Sequence, residues 1–140
     1  MRRVFFVTLA LLVAACAQIQ IPESPQEIEA KKMKPVAGKA VVYIAQNALS
    51  NYSAGLRFDD GTQITTGPGT FYRWVTTPGT HTIKSSEGNL SASIKLQVEA
   101  GKIYFVQHSV SGVRGSTTDA DLQKMSDKAG RQLVRDNRML

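Results

Sequence analysis

Residues 94–110 read IKLQVEAGKIYFVQHSV, two apolar stretches joined by the turn-forming segment 99–102. In the first half an apolar residue stands at every second position from Ile94 to Val98, with Lys95 and Gln97 between them. This period of two is typical of a β-strand that has one face in a core and one face in water. The stretch therefore predicts two strands joined by a short turn.

The segments before this hairpin also combine apolar stretches with turn-forming residues. Residues 39–47, KAVVYIAQN, are apolar and rich in β-branched side chains. Asp59-Asp60-Gly61-Thr62 is a strong hairpin signal because glycine accepts the positive φ that such turns need. Pro78-Gly79 joins two further strands within residues 70–86.

Six or seven short strands at close spacing, without a long helical pattern between them, predict an all-β domain. The two architectures that fit are an antiparallel β-sandwich and a small barrel. We take the antiparallel β-sandwich of about seven strands as the expected fold. A parallel α/β sheet is not expected, since such sheets need a helix after nearly every strand.

The C-terminal segment is the one helical candidate at that end of the chain. Its apolar residues recur at helical spacing: Leu122, Met125, Ala129 and Leu133. The preferred interpretation is a short strand over Asp121–Met125, followed by a short helix that begins near Ser126 as its N-cap. Gly130 counts against the helix, because an interior glycine costs about 1 kcal/mol relative to alanine.

The N-terminus has the three regions of a secretory signal peptide. Arg2 and Arg3 precede the apolar run VFFVTLALLVAA, which ends at small residues before Cys16. The apolar run is about twelve residues long, whereas a transmembrane helix needs about twenty. Residues 1–15 are therefore predicted to be an export signal.

Cys16 is the only cysteine in the chain. Val13-Ala14-Ala15-Cys16 resembles the lipobox of bacterial lipoprotein precursors, in which the cysteine thiol carries a diacylglycerol and becomes the first residue after cleavage. Two or more acyl chains anchor a protein stably in a lipid bilayer. The alternative is an ordinary secreted protein cleaved after Ala15. By resemblance to lipoproteins of Gram-negative bacteria, Ala17, which is not aspartate, favours the outer membrane.

Residues 16–38 are expected to form the lipidated cysteine and a flexible, disordered tether, which leaves residues 39–140 as the domain. Pro22, Pro25 and Pro35 interrupt regular structure, and polar residues dominate the segment. A short helix over residues 26–33 is an alternative, since its glutamates precede its lysines at helical spacing.

Charge and composition exclude several classes of function. The formal net charge is +6, and it becomes +4 once Arg2 and Arg3 leave with the signal. The cations are scattered and form no stripe with interleaved aromatic residues, so nucleic acid is not an expected partner. A single cysteine excludes an internal disulfide and a zinc site built on paired cysteines.

No catalytic or metal-binding constellation stands out, and we predict no enzyme activity, no cofactor and no metal. His81 and His108 lie on strands and are expected to be packed or rim residues. No third residue that could bind a metal lies at a spacing typical of metal sites. No serine lies in a G-x-S-x-G elbow. Asp59 and Asp60, adjacent on the chain, should point to opposite faces and act as turn formers.

The aromatic residues raise the question of a binding surface. Alternation sends Phe71 and Tyr72 to opposite faces of their strand. Either one ring is exposed as a binding platform, with Trp74, Tyr72 and Tyr104 as its candidate residues, or both faces are covered, one of them by the C-terminal helix.

From Lys39 onward the chain resembles a family of small bacterial envelope lipoproteins defined only by a domain of unknown function. The stretches that carry the likeness are AVVYIAQ, LRFDDGTQI, TFYRWVTTPGTHTI and VEAGKIYFVQ, with Gly130 and Leu133 in the closing segment. The segment at Pro78-Gly79 is also similar to β-sandwich modules named for a Pro-Glu-Gly-Ala motif, although it lacks the full motif. An arginine often closes the family's first strand, where this chain has Gln46. The resemblance implies a β-sandwich in the envelope with no established activity.

Together these features predict a non-enzymatic outer-membrane lipoprotein that faces the periplasm and contacts an envelope protein or peptidoglycan. The alternative is a protein that binds a small ligand or a peptidoglycan fragment through an exposed aromatic face near Trp74. A hydrolase is the third and weakest hypothesis.

Overall fold

The computed structural model describes residues 20–49, 51–85 and 92–140. In chain order its elements are α1 Pro25–Lys31, β1 Ala40–Ala45, β2 Ala54–Phe58, β3 Gln63–Thr66, β4 Thr70–Thr76, β5 Gly79–Ser85, β6 Ser93–Val98, β7 Ile103–Val113, β8 Ser116–Lys124, α2 Asp127–Asp136 and β9 Arg138–Met139.

These strands form two sheets, of order β8-β7-β1-β4-β9 and β3-β2-β5-β6. The predicted all-β fold with a short C-terminal helix is confirmed. The strands number nine in the described residues, because β8 and the two-residue β9 join the first sheet. Two pairings, β1 with β7 and β4 with β9, are parallel, whereas the other pairings are antiparallel. Apolar alternation reports which face of a strand is buried and carries no information about the direction of its neighbour.

The main core lies between the two sheets. Its fully or nearly buried members come from both layers: Ala40, Val42, Ile44, Leu56, Phe58, Trp74, Ile83, Leu96, Val98, Val106 and Leu122. Strand β1 is buried along its whole length. This is expected of a central strand whose sheet is covered on both faces.

A second core covers the outer face of the five-stranded sheet, under α1 and α2. It includes Tyr43, Phe71, Phe105 and Val134. Helix α2 begins as predicted, with the Ser126 hydroxyl oxygen accepting a hydrogen bond from the Ala129 amide at 3.3 Å. At Gly130 a Cβ would lie 2.2 Å from the Phe105 Cγ, so the glycine allows this helix to approach the sheet closely.

Helix α1 corrects the expectation of a solvated tether as far as residue 38. Ser24 caps it by accepting from the Glu27 amide at 3.1 Å, and Pro25 occupies the first turn. Ala30 and Met33 are buried in the second core. The Tyr43 hydroxyl donates to the Ala30 carbonyl at 2.6 Å. Pro25 therefore starts a short helix that packs against the sheet, and this agrees with the alternative of a short helix over residues 26–33.

The predicted signal peptide, Cys16 and Ala17 lie outside the described residues. Among the residues from 20 onward that are described, no helix is long and apolar enough to cross a membrane.

Candidate functional site

Trp74 is a core residue, 3% exposed, on the face of β4 that meets the other sheet. Its ring lies 4.7 Å from that of Phe58, and Tyr72 packs against the same phenylalanine at 5.8 Å. Phe71 faces the second core. The interpretation of Trp74 as part of an exposed aromatic platform is therefore wrong, because Trp74 is buried between the sheets.

Tyr104 lies at the border of the main core and is half-buried. Its hydroxyl oxygen accepts from the Glu99 amide at 3.0 Å, in the turn between β6 and β7. The Lys124 ammonium group lies 5.3 Å from the ring centroid, within cation–π range. The contacts of Tyr104 therefore hold a turn and a neighbouring strand.

Asp59 and Asp60 point in different directions, as adjacent residues should, and each has a bonding role beyond turn formation. One carboxylate oxygen of Asp60 accepts from the Thr62 amide at 2.9 Å and the other from the Trp74 indole at 2.8 Å. Burial raises the pKa of Asp60, but the hydrogen bonds from Thr62 and Trp74 outweigh it and hold the pKa below its usual range. Asp59 accepts from the Thr82 amide at 3.1 Å.

His81 joins this turn to β5 as a rim residue. Its Nδ1 lies 3.1 Å from the Asp59 carboxylate, and its Nε2 lies 2.7 Å from the Thr77 carbonyl oxygen. Both ring nitrogens thus face acceptors, an arrangement that the doubly protonated imidazolium satisfies. Burial lowers the pKa of His81, but the hydrogen bonds to Asp59 and Thr77 outweigh it and raise the pKa above its ordinary value.

His108 belongs to a separate, fully buried network. Its Nδ1 lies 2.8 Å from the Thr66 hydroxyl, which donates to the Gln46 side-chain oxygen at 2.8 Å. Nδ1 therefore carries the proton, and the opposite nitrogen, Nε2, has no hydrogen-bond partner among the described residues. Burial lowers the pKa of His108 to about 4, so the ring is neutral at pH 7. His108 is thus the packed histidine that the pattern predicted.

Gln46 is the centre of this network and was not recognised from the sequence as a structural residue. Its side-chain amide donates to the Tyr52 carbonyl at 2.6 Å. The main-chain carbonyl of Gln46 accepts from the side-chain amide of Asn137 at 2.7 Å. The same side-chain amide donates to the main-chain carbonyl of Thr70 at 2.9 Å. Asn137 thereby fastens the end of α2 to β1 and β4. Residues 46 and 137 lie far apart in the chain, so no local pattern relates them.

Thr66 and His108 form a hydroxyl–histidine pair of the kind found in catalytic sites, but the pair is closed to substrate. Thr66 and His108 are each 0% exposed. A nucleophile and base in such a site would need an open path to a bound substrate. Within the described part of the chain, no group of three or more His, Cys, Asp or Glu residues could hold a metal ion.

The most distinctive surface is the outer face of the four-stranded sheet, where three exposed cations surround a shallow groove. Arg57, Lys84 and Lys95 line this groove of about 420 Å³. We call these three residues the cationic face. Arg57 on β2 lies directly opposite Lys84 on β5. The three cations are distributed over three strands, so the sequence contains no basic cluster at this place.

Two hydroxyl residues, one acid and the buried Phe58 complete the lining of the groove. Thr82 and Ser93 supply hydroxyls, and Thr82 lies opposite Lys95. Asp59 lies at the edge, where His81 and the Thr82 amide already bind its carboxylate. No ion pair joins the cationic face to an acid among the residues that the structure describes. With respect to the described part of the chain, these charges are available to an external anion.

The chain matches no protein-family model and no curated protein.

Proposed function

We propose that this protein is an outer-membrane lipoprotein that faces the periplasm, a non-enzymatic β-sandwich that contacts other envelope components. The observation that carries the proposal is the lone cysteine, Cys16, at the end of a signal-like apolar run with small residues before it. Acylation there would supply the anchor, and the described fold begins with α1 at Pro25, ahead of the first strand at Ala40.

The contacts of the histidines support a role of this protein without catalysis. Its two histidines are both engaged in structural contacts, His81 with the turn at Asp59 and His108 with Thr66. The buried His108 network has no access to a substrate. What the described surface offers to other molecules is charge and shape, which suits a binding module.

The alternative of a ligand-binding protein with an exposed aromatic face loses its support. Trp74, its central residue, is packed between the two sheets. Tyr72 and Tyr104 pack against the same core.

Acylation and fractionation test the proposal directly. The full-length wild type should incorporate labelled palmitate and sediment with outer membranes, whereas Cys16→Ala should do neither. Ala17→Asp is the matched control: it keeps the acylated cysteine and should move the protein to the inner membrane. Retention of Cys16→Ala in the membrane, without label, would overturn the proposed anchor.

A further inference from the structure

The N-terminal chain is held on one side of the sandwich. The Arg138 guanidinium, on β9 of the five-stranded sheet, donates to the Ile21 carbonyl at 2.8 Å and to the Pro22 carbonyl at 3.1 Å. Five peptide links separate Cys16 from Ile21, and they span at most about 17 Å. An anchor at Cys16 would therefore keep the side of the sandwich that carries α1 close to the bilayer.

The cationic face lies on the other layer. Helices α1 and α2 cover the five-stranded sheet, and the four-stranded sheet forms the opposite side of the sandwich. Its outer face is thus the one farther from the point of attachment. In an anchored molecule this face is presented to the periplasm and the cell wall.

The arrangement of charges on this face lowers the stability of the folded protein, and nothing in the described fold compensates for it. Like charges directly opposite each other on neighbouring strands destabilise a sheet, and Arg57 lies opposite Lys84. Asp59, the acid among the described residues of the groove lining, is engaged by His81. An external anion would relieve this repulsion.

The chemistry of the groove favours carboxylates. An arginine guanidinium binds a carboxylate through two parallel hydrogen bonds, and two lysines add point charges. The hydroxyls of Thr82 and Ser93 can donate further hydrogen bonds. Among the described residues, no large exposed hydrophobic side chain lies on β2, β3, β5 or β6, so this face lacks the apolar residues that insert into lipid.

We infer that the cationic face, Arg57, Lys84 and Lys95, binds the carboxylate groups of the peptidoglycan polymer. The inference rests on the proposed function, since the anchor gives the face its orientation towards the wall. The full chain would then link the outer membrane to the wall, through the acyl chains at one side and the groove at the other.

Co-sedimentation with purified, insoluble peptidoglycan sacculi tests the inference. The full-length acylated protein in mild detergent should pellet with sacculi, and salt should weaken the association. The triple variant Arg57→Gln, Lys84→Gln, Lys95→Gln should bind about tenfold more weakly. The wild-type protein should no longer pellet with sacculi whose carboxylates have been converted to neutral amides.

A matched triple variant controls for net charge. Lys39→Gln, Lys102→Gln and Lys128→Gln remove the same charge from exposed positions outside the groove and should leave sedimentation nearly unchanged. Equal loss in both triple variants would show a general charge effect and overturn the inference. So would unchanged binding by the first triple variant, or binding to anionic phospholipid vesicles in place of sacculi.

The proposed anchor and the proposed binding groove can be refuted independently of each other. The first triple variant retains Cys16 and should remain acylated and membrane-bound. Its melting temperature should equal or exceed that of the wild type, because the change removes a like-charge contact. A wild type that pellets with sacculi but takes up no palmitate would refute the anchor alone. An acylated wild type that does not pellet with sacculi would refute only the proposed binding of peptidoglycan by the groove.

Discussion

At the scale of the residue, the two histidines have opposite pKa shifts because only His81 has acceptors that outweigh the effect of burial. His81 faces two acceptors at the rim, and its pKa is raised once the effect of burial has been outweighed. His108 lies in the core with one unpartnered nitrogen, and burial lowers its pKa to about 4. His81 therefore adds stability at low pH that is lost as pH rises through its raised pKa, whereas His108 is destabilised by acid.

We expect His108 to make unfolding easier as pH falls. Between pH 6.5 and about 4 the unfolded chain binds a proton at this residue and the folded chain does not. Its contribution to the free energy of unfolding should fall by up to about 3 kcal/mol across this window. Urea unfolding at pH 7 and near pH 4.5 measures the loss in the wild type and in His108→Gln.

Comparison of the two proteins cancels the titration of His81 and the carboxylates. His108→Gln should be less stable than the wild type at pH 7 but should lose less stability on acidification. Parallel losses in the two proteins would contradict this and would show that His108 has the same pKa in the folded and the unfolded chain.

Gly130 is a second residue whose role depends on its surroundings. Gly130→Ala would raise helix propensity by about 1 kcal/mol. However, the added Cβ would lie 2.2 Å from Cγ and 2.3 Å from Cβ of Phe105. These atoms lie next to the backbone and cannot swing away, so we expect a net destabilisation of about 2 kcal/mol.

Thermal or urea denaturation measures the effect of Gly130→Ala. Lys128→Ala, at an exposed position of the same helix, is the control and should change stability by less than about 0.5 kcal/mol. A more stable Gly130→Ala protein would mean that α2 can move away from the sheet without loss.

At the scale of the element, an ion network attaches α1 to the opposite end of the chain. Glu27 is 3% exposed and lies 2.9 Å from the Arg138 guanidinium and 3.1 Å from the Lys31 ammonium group. Burial raises the pKa of Glu27, but these two cations outweigh it and hold the pKa below its ordinary value. Lys31 also pairs with Glu23. The network joins residues more than a hundred positions apart.

Glu27→Gln should loosen α1 while leaving the sheets intact. Removing one member of a buried ion pair leaves the others uncompensated, and we expect a loss of about 2 kcal/mol, allowing for the partly exposed Arg138. Hydrogen exchange should rise in α1 and remain slow in β1. Glu29→Gln, which breaks only exposed pairs with Lys32 and Lys34, should leave the exchange of α1 unchanged. Equal exchange in the two variants would contradict this role.

At the scale of the whole molecule, the two sheets enclose the chain's only tryptophan. Trp74 should therefore report separation of the layers. In the folded protein its fluorescence should resist a neutral quencher, and in denaturant the fluorescence and far-UV dichroism should change together, as in a two-state transition. Ready quenching in the native state would contradict the burial of Trp74.

Local patterns determined much of this protein. Alternation and turn residues predicted the strands of the sandwich, because they reflect the pleat and the allowed backbone angles of a few neighbouring residues. Ser126 predicted the start of α2 for the same reason. The signal-like N-terminus and Cys16, on which the proposed anchor rests, are likewise local features of the chain.

Tertiary structure alone decided which faces are covered and which charges meet. Tyr72 and Trp74 were expected as candidates for an exposed platform, but packing against the second sheet buries Trp74 and partly buries Tyr72. Local spacing allowed a short helix near residues 26–33, but its attachment to the far end of the chain depends on the contact between Glu27 and Arg138. The cationic face forms because three strands bring single, scattered cations side by side. Each of these outcomes depends on contacts between distant residues, and a local pattern carries no information about them.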